Sequence, residues 1–340
     1  MSAQPVFLKK YRASKRERLE ACLNGVKPDR TPVALWRHFP VDDQTPEGLA
    51  QATLDFQSMY DFDLVKVTPT SSYCLKDWGV QDEWQGMPEG TRTYTRRVIH
   101  SPEDWMHLPV LDPYNGHLGE QLACLRLILD ELSEGSDQPP VIQTIFSPLA
   151  QAKNLAGADL LLVHLRKYPE ALHAGLKIIA ESTLRFIEVL CQIKIDGIFY
   201  AVQQASYMLL SDEEYEEFGR RYDLQVLELI KDLWLNMLHL HGTAVMFHKF
   251  MDYPVQIINW HDRDTYPSLE EAKRLFPRLL CGGLQRERTM VLGNPVQVTA
   301  EARDAIQATQ GTRFILGTGC VLPIIAPRAN ILAARKSVEL

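Results

Sequence analysis

The sequence has no long hydrophobic run, no surplus of positive charge and no dense set of cysteines, and each lack removes a class of protein. No window approaches the ~18 consecutive apolar residues that cross a bilayer. Met1 to Lys10 also holds no apolar core of signal-sequence type, so a cytoplasmic location with no membrane partner is expected. With 36 Lys and Arg against 43 Asp and Glu, the net charge is -7, which offers nucleic acid or an anionic membrane no general attraction. The six cysteines are scattered over 340 residues and read as free thiols, not as a disulfide framework. No low-complexity linker divides the chain, so 1–340 reads as one domain.

What is present is a 46% apolar fraction arranged as short runs alternating with longer amphipathic stretches. Eight runs qualify as strands: Pro32 to Phe39, Leu64 to Thr68, Pro140 to Phe146, Gly197 to Val202, Asn236 to His241, Gln256 to Trp260, Arg278 to Gly282 and Arg313 to Gly317. Several are continuously apolar, as strands covered on both faces are. Three- and four-residue apolar spacing predicts helices over Pro169 to Cys191, Asp212 to Leu235 and Leu269 to Phe276, the second opened by a Ser211 cap and Glu214. Eight strands alternating with helices predict an α/β fold, a single (β/α)8 TIM barrel. The stretch from Lys76 to Asp112, with its prolines, glycines and alternating Thr-Tyr-Thr, breaks the repeat and is expected to be a small hairpin or lid inserted after strand two.

In such a barrel the chemistry belongs on the loops after the strands. Strand five ends in His239-Leu240-His241-Gly242, and two imidazoles two residues apart on a strand point to one face, where they can share an ion. Cys320 follows strand eight, only a few staves away. Two neutral imidazoles and a thiolate make the three-ligand set of a catalytic zinc, although the same pair also suits a polar barrel lining. Strand one ends in Trp36-Arg37-His38-Phe39, offering His38 to a substrate and Arg37 as a catalytic anchor for a carboxylate or phosphate, or as an ion pair closing the barrel mouth. His261 beside Asp262 suits a general base, a fourth metal ligand or a solvated cap, and Gln203 a substrate hydrogen bond or a buried structural one. Gly282-Gly283 is too short for a phosphate loop.

Four segments give the chain a specific resemblance. They are Ser14-Lys15-Arg16-Glu17-Arg18-Leu19 through Pro28-Asp29-Arg30-Thr31-Pro32-Val33, the His239-x-His241-Gly242 strand end, Gly282-Gly283-Leu284, and Gly319-Cys320-Val321-Leu322-Pro323 through Pro327-Arg328-Ala329-Asn330. Together they resemble the uroporphyrinogen decarboxylase superfamily over nearly the whole chain. The resemblance implies a TIM barrel and one of two branches: tetrapyrrole decarboxylases, or zinc-dependent methyltransferases that work with corrinoid proteins or coenzyme thiols. The decarboxylase signature keeps its first arginine as Arg37, but Val41 stands where its second belongs, and Thr68-Pro69 where its strand-two aspartate belongs. The methyltransferase pattern, His-x-Cys after strand five and Cys after strand eight, is matched by His239 and Cys320, with His241 replacing the middle cysteine. The expectation is therefore a zinc-dependent methyltransferase acting on a thiol or related small molecule, with any methylcorrinoid carried on a separate protein. The alternatives are a metal-independent decarboxylase of a uroporphyrinogen-like or other carboxylated substrate, and a non-catalytic partner subunit. The oligomeric state is open, a homodimer included.

Overall fold

The computed structural model describes residues 12–133 and 137–339. After helix α1 (Lys15–Leu23) and α2 (Pro46–Tyr60), strand β1 (Val65–Val67) begins a parallel sheet. A separate antiparallel pair follows, β2 (Gln81–Glu83) and β3 (Thr93–Arg96). The parallel sheet then continues through β4 (Val141–Phe146), β5 (Gly197–Val202), β6 (Met237–Leu240), β7 (Ile257–Trp260), β8 (Leu279–Leu284) and β9 (Phe314–Thr318). Its order is β1-β4-β5-β6-β7-β8-β9, so each strand lies beside its successor, as right-handed crossovers through helices require. The helices of those crossovers include α3 (Gly116–Leu132), α4 (Pro148–Ala156), α5 (Ala158–Lys167) and α6 (Pro169–Gln192). Every residue of the seven strands is buried.

Seven of the eight expected strands form, and the first is corrected. The run Pro32 to Phe39 pairs through one parallel bridge, Val33 to Leu316. Ala34 N–H donates to Leu316 at 2.9 Å and Leu316 N–H to Pro32 at 2.9 Å, so the segment lies along β9. On its other side Asp63 intervenes: its N–H donates to the Val33 carbonyl at 2.9 Å, and its carboxylate takes the Val33 N–H at 2.8 Å. A side chain thus occupies the place of a ladder hydrogen bond, and no continuous strand forms beside β1.

Asp63, fully buried, accepts from Arg18 and from Arg30, each at 2.7 Å, while Arg18 also donates to Asp29 at 2.8 Å. Ser14 caps α1 with Glu17 in a reciprocal box and so sets the helix that presents Arg18. Both stretches of the first segment that carries the resemblance, 14–19 and 28–33, are therefore structural. They form a buried ion cluster at the entry ends of the strands, opposite the loops expected to carry chemistry.

The helix expected over Asp212 to Leu235 is also corrected. It runs as α7 (Asp212–Tyr215), a π-helical turn over Glu216–Arg220, and α8 (Arg221–Leu229). At Gly219 a Cβ would stand 2.4 Å from the Tyr215 ring, so the wider turn seats that ring. The end comes early because Asn236 donates its amide to the Ile230 and Leu233 carbonyls, which closes the helix terminus from outside. Helices α6 and α9 (Leu269–Leu275) lie where the apolar spacing puts them.

Candidate metal centre and cavity

Alternation along the strands decides what faces the interior. On β5, Phe199 and Ala201 line a cavity of about 340 Å³, while Tyr200 between them points outward and donates to Asp223 at 2.7 Å. On β6 and its continuation, His239 and His241 face the same cavity, which Cys320 also lines. One ligand atom from each of His239, His241, His261 and Cys320 lies within 4.8 Å of the others. The imidazole planes are set at angles, with His241 and His261 ring centres 5.1 Å apart at 81°, so their nitrogens converge without stacking.

Asn259 fixes one tautomer. Its amide donates to the Cys281 and Thr318 carbonyls at 2.9 and 3.0 Å, which leaves its oxygen to accept from His239 Nδ1 at 2.7 Å. His239 therefore carries its proton on Nδ1, which leaves Nε2 as the nitrogen able to donate a lone pair. Among the described residues His261 Nε2 is buried and has no hydrogen-bond partner. Cys320 Sγ stands 3.6 Å from His241 Nδ1. Burial by itself would raise the Cys320 thiol, but the charge and hydrogen bonds of the surrounding imidazoles take it well below the ordinary thiol range. Burial holds His239 below the usual imidazole value, whereas at His241 the desolvation is outweighed by Cys320 and the value rises. A buried thiol held toward its anion, a fixed imidazole and an orphaned imidazole nitrogen fit a zinc ion chemically.

The structure separates the other expected residues. His38 lines the cavity and is buried, and desolvation pushes it down to about 3, so it is a neutral imidazole. Gln203 lines the cavity with its Oε1 buried and, among the described residues, unpartnered. Arg37 is not among the residues lining this cavity. Trp36 and His38 point in, so the residue between them points out, and its guanidinium lies 5.1 Å from the ring centres of both Phe39 and Phe56, donating to the Ile324 carbonyl at 3.4 Å. Asp262, beside His261, is buried instead of solvated; its carboxylate accepts the Gly283 N–H, and burial pushes it up to about 7. A Cβ at Gly282 would stand 2.4 Å from that carboxylate, so Gly282 makes room for Asp262.

Four cationic residues of the cavity escape a reading of spacing alone: Lys66, Arg92, Arg97 and Lys153. Lys66 sits in the middle of β1, and burial pushes its ammonium down to about 7; Lys153, on α4, is pushed down to about 8 by burial and then by Arg97. The available signal was a lone Lys inside the apolar run Leu64-Val65-Lys66-Val67, where an ordinary surface lysine has no place. From the hairpin side, Glu89, Arg92 and Tyr94 line the cavity, and Arg286 from the loop after β8 pairs with Glu89.

The uroporphyrinogen decarboxylase (URO-D) family model matches residues 14–339, and the chain belongs to that family. Among its relatives is the methylcobamide:CoM methyltransferase MtbA of Methanosarcina mazei, 23% identical over 247 residues, a match spanning 71% of this chain and 69% of the relative. The MtbA of Methanosarcina acetivorans is 21% identical over 246 residues, 72% and 69% of the two chains. A solved methyltransferase from Methanosarcina mazei superposes with a TM-score of 0.81 at 18% identity, covering 95% of this chain and 98% of that one. A B12-independent methionine synthase from Shewanella sp. W3-18-1 has a TM-score of 0.53 at 12% identity over 92% and 93%. The fold is thus a TIM-barrel-like member of this family, and no helix among the described residues is long and apolar enough to cross a membrane.

Proposed function

We propose that this protein is a zinc-dependent methyltransferase whose acceptor is a thiol or related small molecule and whose methyl group comes from a methylcorrinoid held by a separate protein. The observation that carries the reading is the convergence of His239, His241, His261 and Cys320 within 4.8 Å, with Asn259 holding His239 ready to donate from Nε2. These residues would hold the ion, His261 serving as fourth ligand or, displaced, as a base beside the acceptor. A zinc ion there would supply Lewis acidity that favours the anionic form of a thiol. His38 and Gln203 are assigned to the substrate, and the hairpin within 76–112 to a cover over the cavity mouth. The MtbA relatives support methyl transfer as the reaction class.

Decarboxylation of a carboxylated substrate is the second reading, favoured by the cationic lining of the cavity. It loses its expected anchor, because Arg37 lies outside that cavity.

Purified protein is expected to hold about one zinc per chain, and His239→Ala to lose most of it, since the remaining ligands close a site poorly. Zinc-loaded protein should move methyl from methylcobalamin to 2-mercaptoethanesulfonate, and chelation should stop it. Protein that neither contains nor takes up zinc, together with sustained coproporphyrinogen formation from uroporphyrinogen, would replace this reading with the second.

A further inference from the structure

We propose that the tip of the hairpin, residues 84–90, is a gate over the mouth of the cavity, and that the ion pair between Glu89 and Arg286 is its latch. The inference rests on the methyl-transfer reading only for what must pass: an acceptor, and a methyl group brought by a second protein, both have to reach His239, His241 and Cys320.

The hairpin is held unevenly along its length. Around its two strands it is bolted to the barrel. Arg92 pairs with the buried Asp43 and donates to the Pro40 carbonyl at 2.6 Å, the Asp82 carboxylate on β2 accepts from Thr70 at 3.2 Å, and the Tyr94 and Ser71 hydroxyls meet at 2.9 Å. Beyond the strands, Gln85 to Pro88 are exposed. The tip keeps its own shape, because the Trp84 indole N–H and the Gly90 N–H both donate to the Met87 carbonyl, at 3.1 and 2.8 Å. Among the described residues only two polar links tie this tip to the barrel: the Ile324 N–H donates to the Pro88 carbonyl at 2.8 Å, and Arg286 pairs with Glu89. Gly86 and Gly90 hold φ at +80° and +76°, so the tip contains two positions that absorb a change of backbone angle at little cost.

The latch stands over the metal-ligand cluster. Glu89 lines the same cavity as Cys320, and Arg286 also donates to the carbonyl of Val321, the next residue after Cys320, at 3.4 Å. A Cβ at Gly90 would stand 2.7 Å from that of His38, so the closed tip rests directly on another wall of the cavity. The Arg286 and Glu89 side chains are 11% and 30% exposed, which leaves the pair within reach of water. Such a pair holds weakly and breaks cheaply. The cation also has a substitute at hand, since Glu287 accepts from the same guanidinium nitrogen at 3.2 Å. When Glu89 swings away, Arg286 keeps a carboxylate and Glu89 gains water, so the open tip strands no buried charge.

The test reads access to Cys320 in metal-free protein, so that neither zinc nor methyl transfer enters the result. The folded protein is treated with iodoacetamide, and the modification of each cysteine is followed in time by mass spectrometry. Glu89→Gln and Arg286→Met are both expected to be alkylated at Cys320 about 5-fold faster than wild type or more, the rate following the population of the open tip. Arg286→Met is the decisive variant, because removing a cation from the field of Cys320 would by itself make the thiol less reactive. Arg286→Lys, which keeps the charge, should stay near the wild-type rate. Cys22 and Cys281, both fully buried, should remain unmodified in every variant. An Arg286→Met rate at or below wild type overturns the gate, and so does an Arg286→Lys rate equal to that of Arg286→Met. Alkylation of Cys281 rising in step with Cys320 overturns it too, since the whole barrel would then have loosened. The reading of the reaction fails separately: protein that takes up no zinc and transfers no methyl group would leave these rates, and the gate, as they are.

Discussion

At the residue scale, the site turns on which atoms are left over once local hydrogen bonds are counted. Asn259 spends both amide protons on the Cys281 and Thr318 carbonyls and so can only accept from His239. Replacing it by leucine should leave the four candidate ligands in place but free His239 to rotate and change tautomer. Zinc affinity, measured by competition with a chelator, is expected to fall roughly 10- to 100-fold, the usual cost of losing such a supporting hydrogen bond. Arg37 gives the opposite expectation. Its guanidinium rests against Phe39 and Phe56 outside the cavity, so Arg37→Met should keep zinc content and KM at wild-type values. A large rise in KM for an anionic acceptor would mean that Arg37 reaches the substrate after all.

At the scale of elements, the outer face of β5 is tied to its covering helices by one carboxylate. Asp223, on α8, accepts from Tyr200 on β5 at 2.7 Å, from Tyr215 on α7 at 2.5 Å and from Tyr253 at 3.0 Å. Burial pushes Asp223 up to about 6, the three phenol hydrogen bonds offsetting only part of the desolvation. Because the folded state raises this group above the ordinary ~4 of a free carboxylate, it binds the proton more tightly than the unfolded chain does. Its contribution to stability is therefore greatest below about pH 4 and is lost as the pH rises through about 6. In Asp223→Asn that pH-linked part should disappear. The check is the melting temperature of both proteins from pH 4 to 7: the difference between them should change across this window, and parallel curves would mean that Asp223 is not raised.

For the molecule as a whole, closure of the strand wall depends on a side chain. Between β9 and β1 the sheet is completed by residues 32–35, held by one bridge and by the Asp63 carboxylate, which Arg18 and Arg30 also claim. Asp63→Ala would remove the carboxylate that the buried Arg18 and the largely buried Arg30 share and leave the Val33 N–H without its acceptor. Breaking one partner of a buried ion cluster costs about 3–5 kcal/mol. A lowered unfolding midpoint in urea is expected, with little change in zinc affinity, because the cluster lies at the end of the strands opposite His239 and Cys320. Loss of zinc binding in still-folded Asp63→Ala would show that the two ends of the wall are coupled.

Periodicity and residue type were enough for the alternating α/β pattern, seven of its strands, and the shared face of His239 and His241, because each follows from the chain's own geometry over a few residues. The resemblance that pointed to the family rests on segments that proved partly structural, 14–19 and 28–33. What spacing could not decide was set by contacts between residues far apart in the chain. Asp63 replaces a ladder bond and turns an expected strand into a bridge; Asn259 assigns a proton to His239 across two strands; the neighbours of Arg37 and Lys66 send one charge out of the cavity and bury the other in it. A lone lysine on a strand and a lone arginine beside a tryptophan look alike in sequence. Only packing determines which of them is deprived of water, and with it which can act on a bound molecule.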